Sequence, residues 1–248
     1  QVVTCWQQAV EAYRAAGSTW GECTALSNLA ESSLAMDDLP AAEQYASRAR
    51  ALALQMENAE LTAVNEQILA VTALQRGDLD AAATLATQAV AHHRQVNNQA
   101  HTANALAILA RVVNAQGDSN QALSHLQESV AILRQLDNRL YLQQRLYELG
   151  QVALHAGRLR MAESALYEAL SLANTREEQE NIWQTLWQAA QAYQQHGYEQ
   201  DARRLAQKVI AADSAPEDVR GMARALLHAA NLATESMGGS VSDKTGHK

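Results

Sequence analysis

Apolar residues recur along this chain at spacings of three, one and three. Leu26, Leu29, Ala30 and Ser33 form one such set. Leu106, Leu109, Ala110 and Val113 fill the same slots later, as do Leu146, Leu149, Gly150 and Ala153. These spacings put four residues on one helix face. The pattern predicts a first series of helices, here called A, over 22–36, 61–76, 101–116, 141–156 and 181–196. A second series, B, is predicted over 39–56, 79–96, 119–136, 159–174 and 199–212.

Between each A and its B stands a turn. Gly77, Gly117, Gly157 and Gly197 are spaced 40 residues apart, followed by Ala82, Ala122, Ala162 and Ala202. Asp37 with Ala42 is the same turn one period earlier, Asp standing in for Gly. A residue at positive φ ends a helix cheaply, which is what Gly supplies. Asp78 and Asp118 read as N-caps, and Pro40 sits just inside its helix, where a missing N–H does no harm. Asn97-Asn98 and Asp137-Asn138 link each B to the next A. A fixed period of this size marks stacked supersecondary units.

The same register organises the ends. Residues 4–16 read as a B helix whose A partner is missing, so the chain reads as a piece excised from something longer. Ser214 and Glu217 match a capping box opening a last helix, with Leu226, Ala229, Ala230 and Ala233 in the A slots. The expected plan is therefore a truncated leading repeat over 1–17 and five repeats over 18–213. A capping helix over 214–235 and a disordered tail over 236–248 complete it.

The run Leu106, Leu109, Ala110, Val113, Gly117, Asp118, Ala122, Ser129, Val130 resembles the tetratricopeptide repeat. The resemblance covers about 22–235. It implies an all-α fold, a right-handed superhelical α-solenoid of helix-turn-helix units. The chain departs from the family in its period, which exceeds the usual ~34 residues. The family's aromatic slot holds Ser33, Ala73, Val113 and Ala153, and only Tyr193 conforms. Such 40-residue variants resemble sensor arrays in large bacterial signalling ATPases and transcription regulators.

Composition narrows the functions. Phe is absent, and small Ala side chains carry much of the 48% hydrophobic content, which suits closely packed helices. A net charge of −8 argues against nucleic acid. So does the presence of three lysines, two of them in the last five residues. No apolar run is long enough for a membrane span. Cys5 and Cys23 lack metal-ligand or framework spacing and read as reduced core residues, pointing to a cytoplasmic setting. The eight histidines, His92-His93 among them, form no ligand pair. No Gly-x-Ser-x-Gly turn or phosphate-binding Gly-x-x-x-x-Gly-Lys stretch occurs, so a non-enzymatic module without metal or cofactor is expected.

The resemblance implies that A helices line a concave groove. The groove stripe falls on Thr24, Ser27, Glu31 and Leu34, then on Val64, Gln67, Val71 and Leu74. It continues with Asn104, Ala107, Arg111 and Asn114, then Gln144, Tyr147, Gln151 and Leu154, then Gln184, Trp187, Gln191 and Gln194. Amides both donate and accept, and Tyr and Trp give stiff contact area. The expected ligand site is thus Asn104, Arg111, Asn114, Gln144, Tyr147, Gln151, Gln184, Trp187 and Gln191. A protein, a peptide or a small polar ligand would bind there. A terminal-carboxylate clamp is disfavoured, because no A helix carries Lys. The expected role is a sensor or scaffold part of a larger bacterial protein, or alternatively a stand-alone adaptor.

Overall fold

The computed structural model describes residues 2–238. Among them the chain forms twelve α-helices and no strand. The first seven are α1 (Val2–Ala15), α2 (Thr19–Ala35), α3 (Leu39–Gln55), α4 (Ala59–Arg76), α5 (Leu79–Gln95), α6 (Gln99–Ala115) and α7 (Ser119–Gln135). The rest are α8 (Arg139–His155), α9 (Leu159–Leu172), α10 (Arg176–Gln195), α11 (Glu199–Ala211) and α12 (Glu217–Gly238). Even numbers are A helices and odd numbers B helices. Each A helix begins before its apolar pattern does, because its first turn is built by a polar cap. Ser18, Asn58 and Asn98 accept from the backbone N–H three residues on.

The turns repeat on half the sequence period. Residues 17, 37, 57, 77, 97, 117, 137, 157 and 197 all have positive φ. Each closes a Schellman pair, as in Asp37 N–H to Leu34 C=O at 3.1 Å and Asp38 N–H to Ser33 C=O at 2.9 Å. The Asp37 turn (φ 62°) is therefore the Gly77 turn (φ 80°) with a side chain added. The B-to-A links are the same turn too, built on Glu57, Asn97 and Asp137. Non-glycine residues at positive φ are strained, so these four positions carry a cost that Gly would remove.

The chain divides into two compact units between Arg139 and Leu140. In the first, consecutive helices pack against each other, and A helices also touch one another, α2 with α4 and α4 with α6. Ala42, Ala46, Ala49 and Ala53 of α3 are fully buried, so the B backbone can approach Leu26 and Leu29 of α2 closely. Cys23 Sγ donates to Ala49 C=O at 3.2 Å, and Ser129 Oγ donates to Ala103 C=O at 2.7 Å in the matching place. The A stripes read from the sequence on α2 and α6 are buried.

In the second unit α9 packs on α10, α10 on α11, and α12 on both α10 and α11. Here α9 breaks the alanine stripe at one slot, as Leu126 does in α7, while α11 keeps Ala202 and Ala206 buried. Leu166 stands where Ala46 and Ala86 stand, and Gly150 makes room for it, since a Cβ there would lie 2.6 Å from Leu166 Cγ. The link after α9 abandons the Schellman turn. Ala173 is extended, and Thr175 with Glu178 forms a reciprocal capping box. The capping box expected at Ser214 and Glu217 does not form, because Glu217 is the first residue of α12. Ser214 Oγ instead accepts from Trp183 Nε1 at 3.0 Å. The last helix runs on to Gly238, and the rest of the expected tail, 239–248, lies outside the described residues.

Candidate binding face of the A helices

The expected contact residues divide by unit, and each set sits on helices bounded by hydrogen-bonded turns. In the first unit, Asn104, Arg111 and Asn114 lie along α6 at spacings that keep them on one side. Asn104 and Arg111 are exposed. Arg111 makes no hydrogen bond or ion pair among the described residues, leaving five donors for a ligand. Asn114 is half-buried and accepts from Ser119 Oγ at 3.0 Å, so one of its oxygen's acceptor sites is already used.

In the second unit, Gln144, Tyr147 and Gln151 follow α8, and Gln184, Trp187 and Gln191 follow α10. Gln144, Gln184 and Gln191 are exposed, and Tyr147 and Gln151 are half-buried. Tyr147 hydroxyl lies 3.3 Å from Thr185 Oγ1, which ties α8 to α10. A cleft of about 240 Å³ opens between these helices, lined by Gln143, Gln144, Tyr147, Glu148, Asn181 and Ile182 among others. Trp187 departs from expectation. It is only 7% exposed, so it packs within the unit and supports the stripe from below. Trp183 is buried too, edge-on to Tyr167 at 6.3 Å between centroids.

Three buried polar groups escaped the sequence reading. Glu66 occupies the slot filled by Leu26, Leu106, Leu146 and Leu186 in the other repeats, and it is 0% exposed. Arg50 donates to its Oε1 at 3.0 Å, and His92 Nδ1 lies 2.7 Å from its Oε2. The mismatch with four leucines was the available signal. His93 is also 0% exposed, with neither ring nitrogen hydrogen-bonded, stacked on His101 at 5.1 Å. Burial, then the neighbouring His101, pushes its pKa down to about 4. Glu163 receives both Arg204 Nη1 at 2.5 Å and Nη2 at 2.9 Å, and Tyr193 donates to it at 3.3 Å. The Arg204 hydrogen bonds hold this carboxyl below its ordinary range, while burial pushes Tyr193 up to about 12. All three are buried in the packing between helices.

Cys23 is buried as expected, whereas Cys5 is exposed, which corrects its reading as a core residue. Among the described residues no group of three His, Cys, Asp or Glu side chains could hold a metal, and no helix is long and apolar enough to cross a membrane.

Comparison with known proteins agrees with a tetratricopeptide type of repeat. Residues 60–135 match the tetratricopeptide repeat family model. A search of curated proteins by sequence gives no match. Among solved structures, BtubC (BKLC) from P. vanneervenii is similar with a TM-score of 0.68 at 18% identity, covering 93% of this chain and 91% of that one. A putative kinesin light chain from Podosopora anserina with TPR-like repeats is similar with a TM-score of 0.60 at 18% identity, covering 82% and 94%. A Rap protein complexed with Competence and Sporulation Factor gives a TM-score of 0.59 at 14% identity, covering 90% and 72%. At such identities the likeness concerns the fold.

Proposed function

The chain carries tetratricopeptide repeats, matched directly over residues 60–135, and from that premise we propose that it is a polypeptide-binding module without catalytic activity. The observation that carries this reading is the set of exposed amides on α8 and α10 of the second unit, Gln144, Gln184 and Gln191, together with exposed Asn104 and the unpaired Arg111 guanidinium on α6 of the first. Amides suit a peptide backbone, whose N–H and C=O groups need both acceptors and donors. Arg111 would meet an acidic side chain in a bidentate pair. Tyr147, half-buried beside its cleft, would give the aromatic anchor, and Trp187 would stiffen α10 beneath Gln184 and Gln191. Asn104, Asn114, Gln144 and Gln151 complete the contacts. A small polar ligand is the lesser alternative, in the cleft alone.

The role fitting this reading is the sensor or scaffold part of a larger bacterial, cytoplasmic signalling protein. The Rap protein, similar in fold, was solved with a factor bound, and this supports a ligand-recognising array. The test is selection from a displayed library of random 12-residue peptides, followed by titration of the winners. Tyr147→Ala should weaken binding about 10- to 30-fold, in line with about 2 kcal/mol for an aromatic anchor. Arg111→Ala should weaken acidic winners and spare neutral ones. Selection of no peptide, or winners indifferent to both changes, would remove this reading.

A further inference from the structure

The B helices start by one rule that the second unit breaks twice. Asp38, Asp78 and Asp118 stand just before α3, α5 and α7, each accepting from the backbone N–H three residues on. At the same register positions α9 and α11 have Arg158 and Tyr198, and neither side chain caps its helix. Giving up such a cap costs stability. Both side chains are exposed, so core packing does not account for them.

What they share is a cleft of about 370 Å³ within the second unit, a volume in the range of small-molecule sites. Leu159, Met161 and the rings of Tyr193 and Tyr198 give it apolar walls. The two rings stand edge to face, 6.2 Å apart at 83°. Tyr193 is buried with its hydroxyl donated to Glu163, so it is a fixed backing for the exposed ring of Tyr198. Arg158 and Arg160 line the same cleft, where Asp78 and Asp80 stand two repeats earlier. Arg160 is exposed and makes no hydrogen bond or ion pair among the described residues. The carboxylate in the lining, Asp201, is already taken by Arg204 Nη2 at 2.9 Å. In a chain of net charge −8, this cleft is cationic as well as aromatic.

We propose that the cleft binds a small aromatic carboxylate, its ring against Tyr198 and Met161 and its carboxylate on the guanidinium groups of Arg160 and Arg158. A guanidinium fork matches a carboxylate, and a planar apolar body suits the tyrosine walls. Among the described residues no Asn or Gln lines the cleft to pair with a peptide backbone, which favours a small molecule over a peptide. The cleft shares no residue with the A-helix stripe, so this site goes beyond the peptide binding proposed there and stands without it.

Calorimetric titration of the 248-residue chain with benzoate, indole-3-acetate and 2-naphthoate tests this. At least one should bind saturably, and its alcohol counterpart, which lacks the charge, should bind about 10-fold more weakly. Arg160→Gln and Tyr198→Ala should each weaken binding by about 10-fold or more with melting unchanged. Arg158→Asp, which restores a cap, should bind most weakly of all without loss of stability. Arg160→Gln, at an exposed side chain without partners, keeps the test decisive if Tyr198→Ala fails to fold. Saturable binding by none of the three acids would overturn the proposal. So would equal affinity for acid and alcohol, or affinity indifferent to Arg160→Gln and Arg158→Asp. Binding of the peptide acetyl-Glu-Phe-Glu-amide in place of the acids would overturn it as well, and would give the cleft to a polypeptide.

Discussion

The two units hold the same kind of helix pair together by different means. In the first, positive-φ turns come every 20 residues from Gly17 to Asp137. Ser18, Asp38, Asn58, Asp78, Asn98 and Asp118 each cap the next helix with a side chain. In the second, Arg158 and Tyr198 occupy the cap position without a capping bond from the side chain, and the link after α9 is extended. Its core compensates with Trp183, Trp187, Tyr193 and the Glu163–Arg204 pair. Regular local signals thus suffice where alanine lets helices close up. Where they lapse, long-range packing takes over, and the helix boundaries shift while the 40-residue register survives.

The sharpest way to break this comparison is Trp187→Ala. If the second unit depends on its large side chains, the change should cost about 3–5 kcal/mol in urea titration. A cost near zero would return Trp187 to the surface as a ligand contact.

The next effect belongs to the first unit and is set by pH. His93 faces His101 on α6 and Glu60 on α4, with His92 beside it on α5. Its folded pKa of about 4 lies below the unfolded value of 6.5. The unfolded chain therefore takes up the proton first as pH falls. Stability is fully present above 6.5 and declines toward pH 4, by about 3 kcal/mol in total. His93→Leu, copying Leu133 in the next repeat, should flatten that decline. An unchanged acid slope in the variant would show that another group governs it.

A smaller loss is expected at the paired carboxylates. Arg204→Ala removes the bidentate partner of Glu163 in the second unit and leaves it only the Tyr193 hydroxyl at 3.3 Å and Lys208 at 3.8 Å, at a cost of about 2 kcal/mol, moderated because Arg204 is partly solvated. In the first unit, Arg48→Ala leaves Glu22 its other partner, Arg14, at 3.0 Å. That change should cost under about 1 kcal/mol. Equal losses would mean that the two units do not differ in their reliance on buried ion pairs.

The smallest changes concern the turns. Asp118→Ala should cost about 1 kcal/mol by removing a cap, while Arg158→Asp should gain some part of that by adding one. Glu57→Gly should stabilise by up to about 1 kcal/mol, since Gly meets φ 52° without strain. Thermal melts of the three variants decide it.

How much was legible follows the same division. The A stripes, the glycine turns and the Asp caps are local signals, and they placed α2 to α7 within a few residues. The turns at Glu57 and Asn97 were missed as turns of the same kind, because a side chain at positive φ leaves little mark in sequence. The ends of α9 and the start of α10 were misjudged because the capping box at Thr175 competes with the periodic pattern. Of the stripe, the positions of the amides and Arg111 follow from spacing once the resemblance says which face of the A helices is open. Trp187 could not, since a large residue at a slot's edge turns inward or outward according to its neighbours.

The most direct test of the binding account is photo-cross-linking with a selected peptide carrying a benzophenone at successive positions. The account predicts adducts on α6, α8 and α10, at or beside Asn104, Arg111, Gln144, Tyr147, Gln184 and Gln191. Adducts concentrated on the B helices α7, α9 and α11, or on the turns, would contradict it.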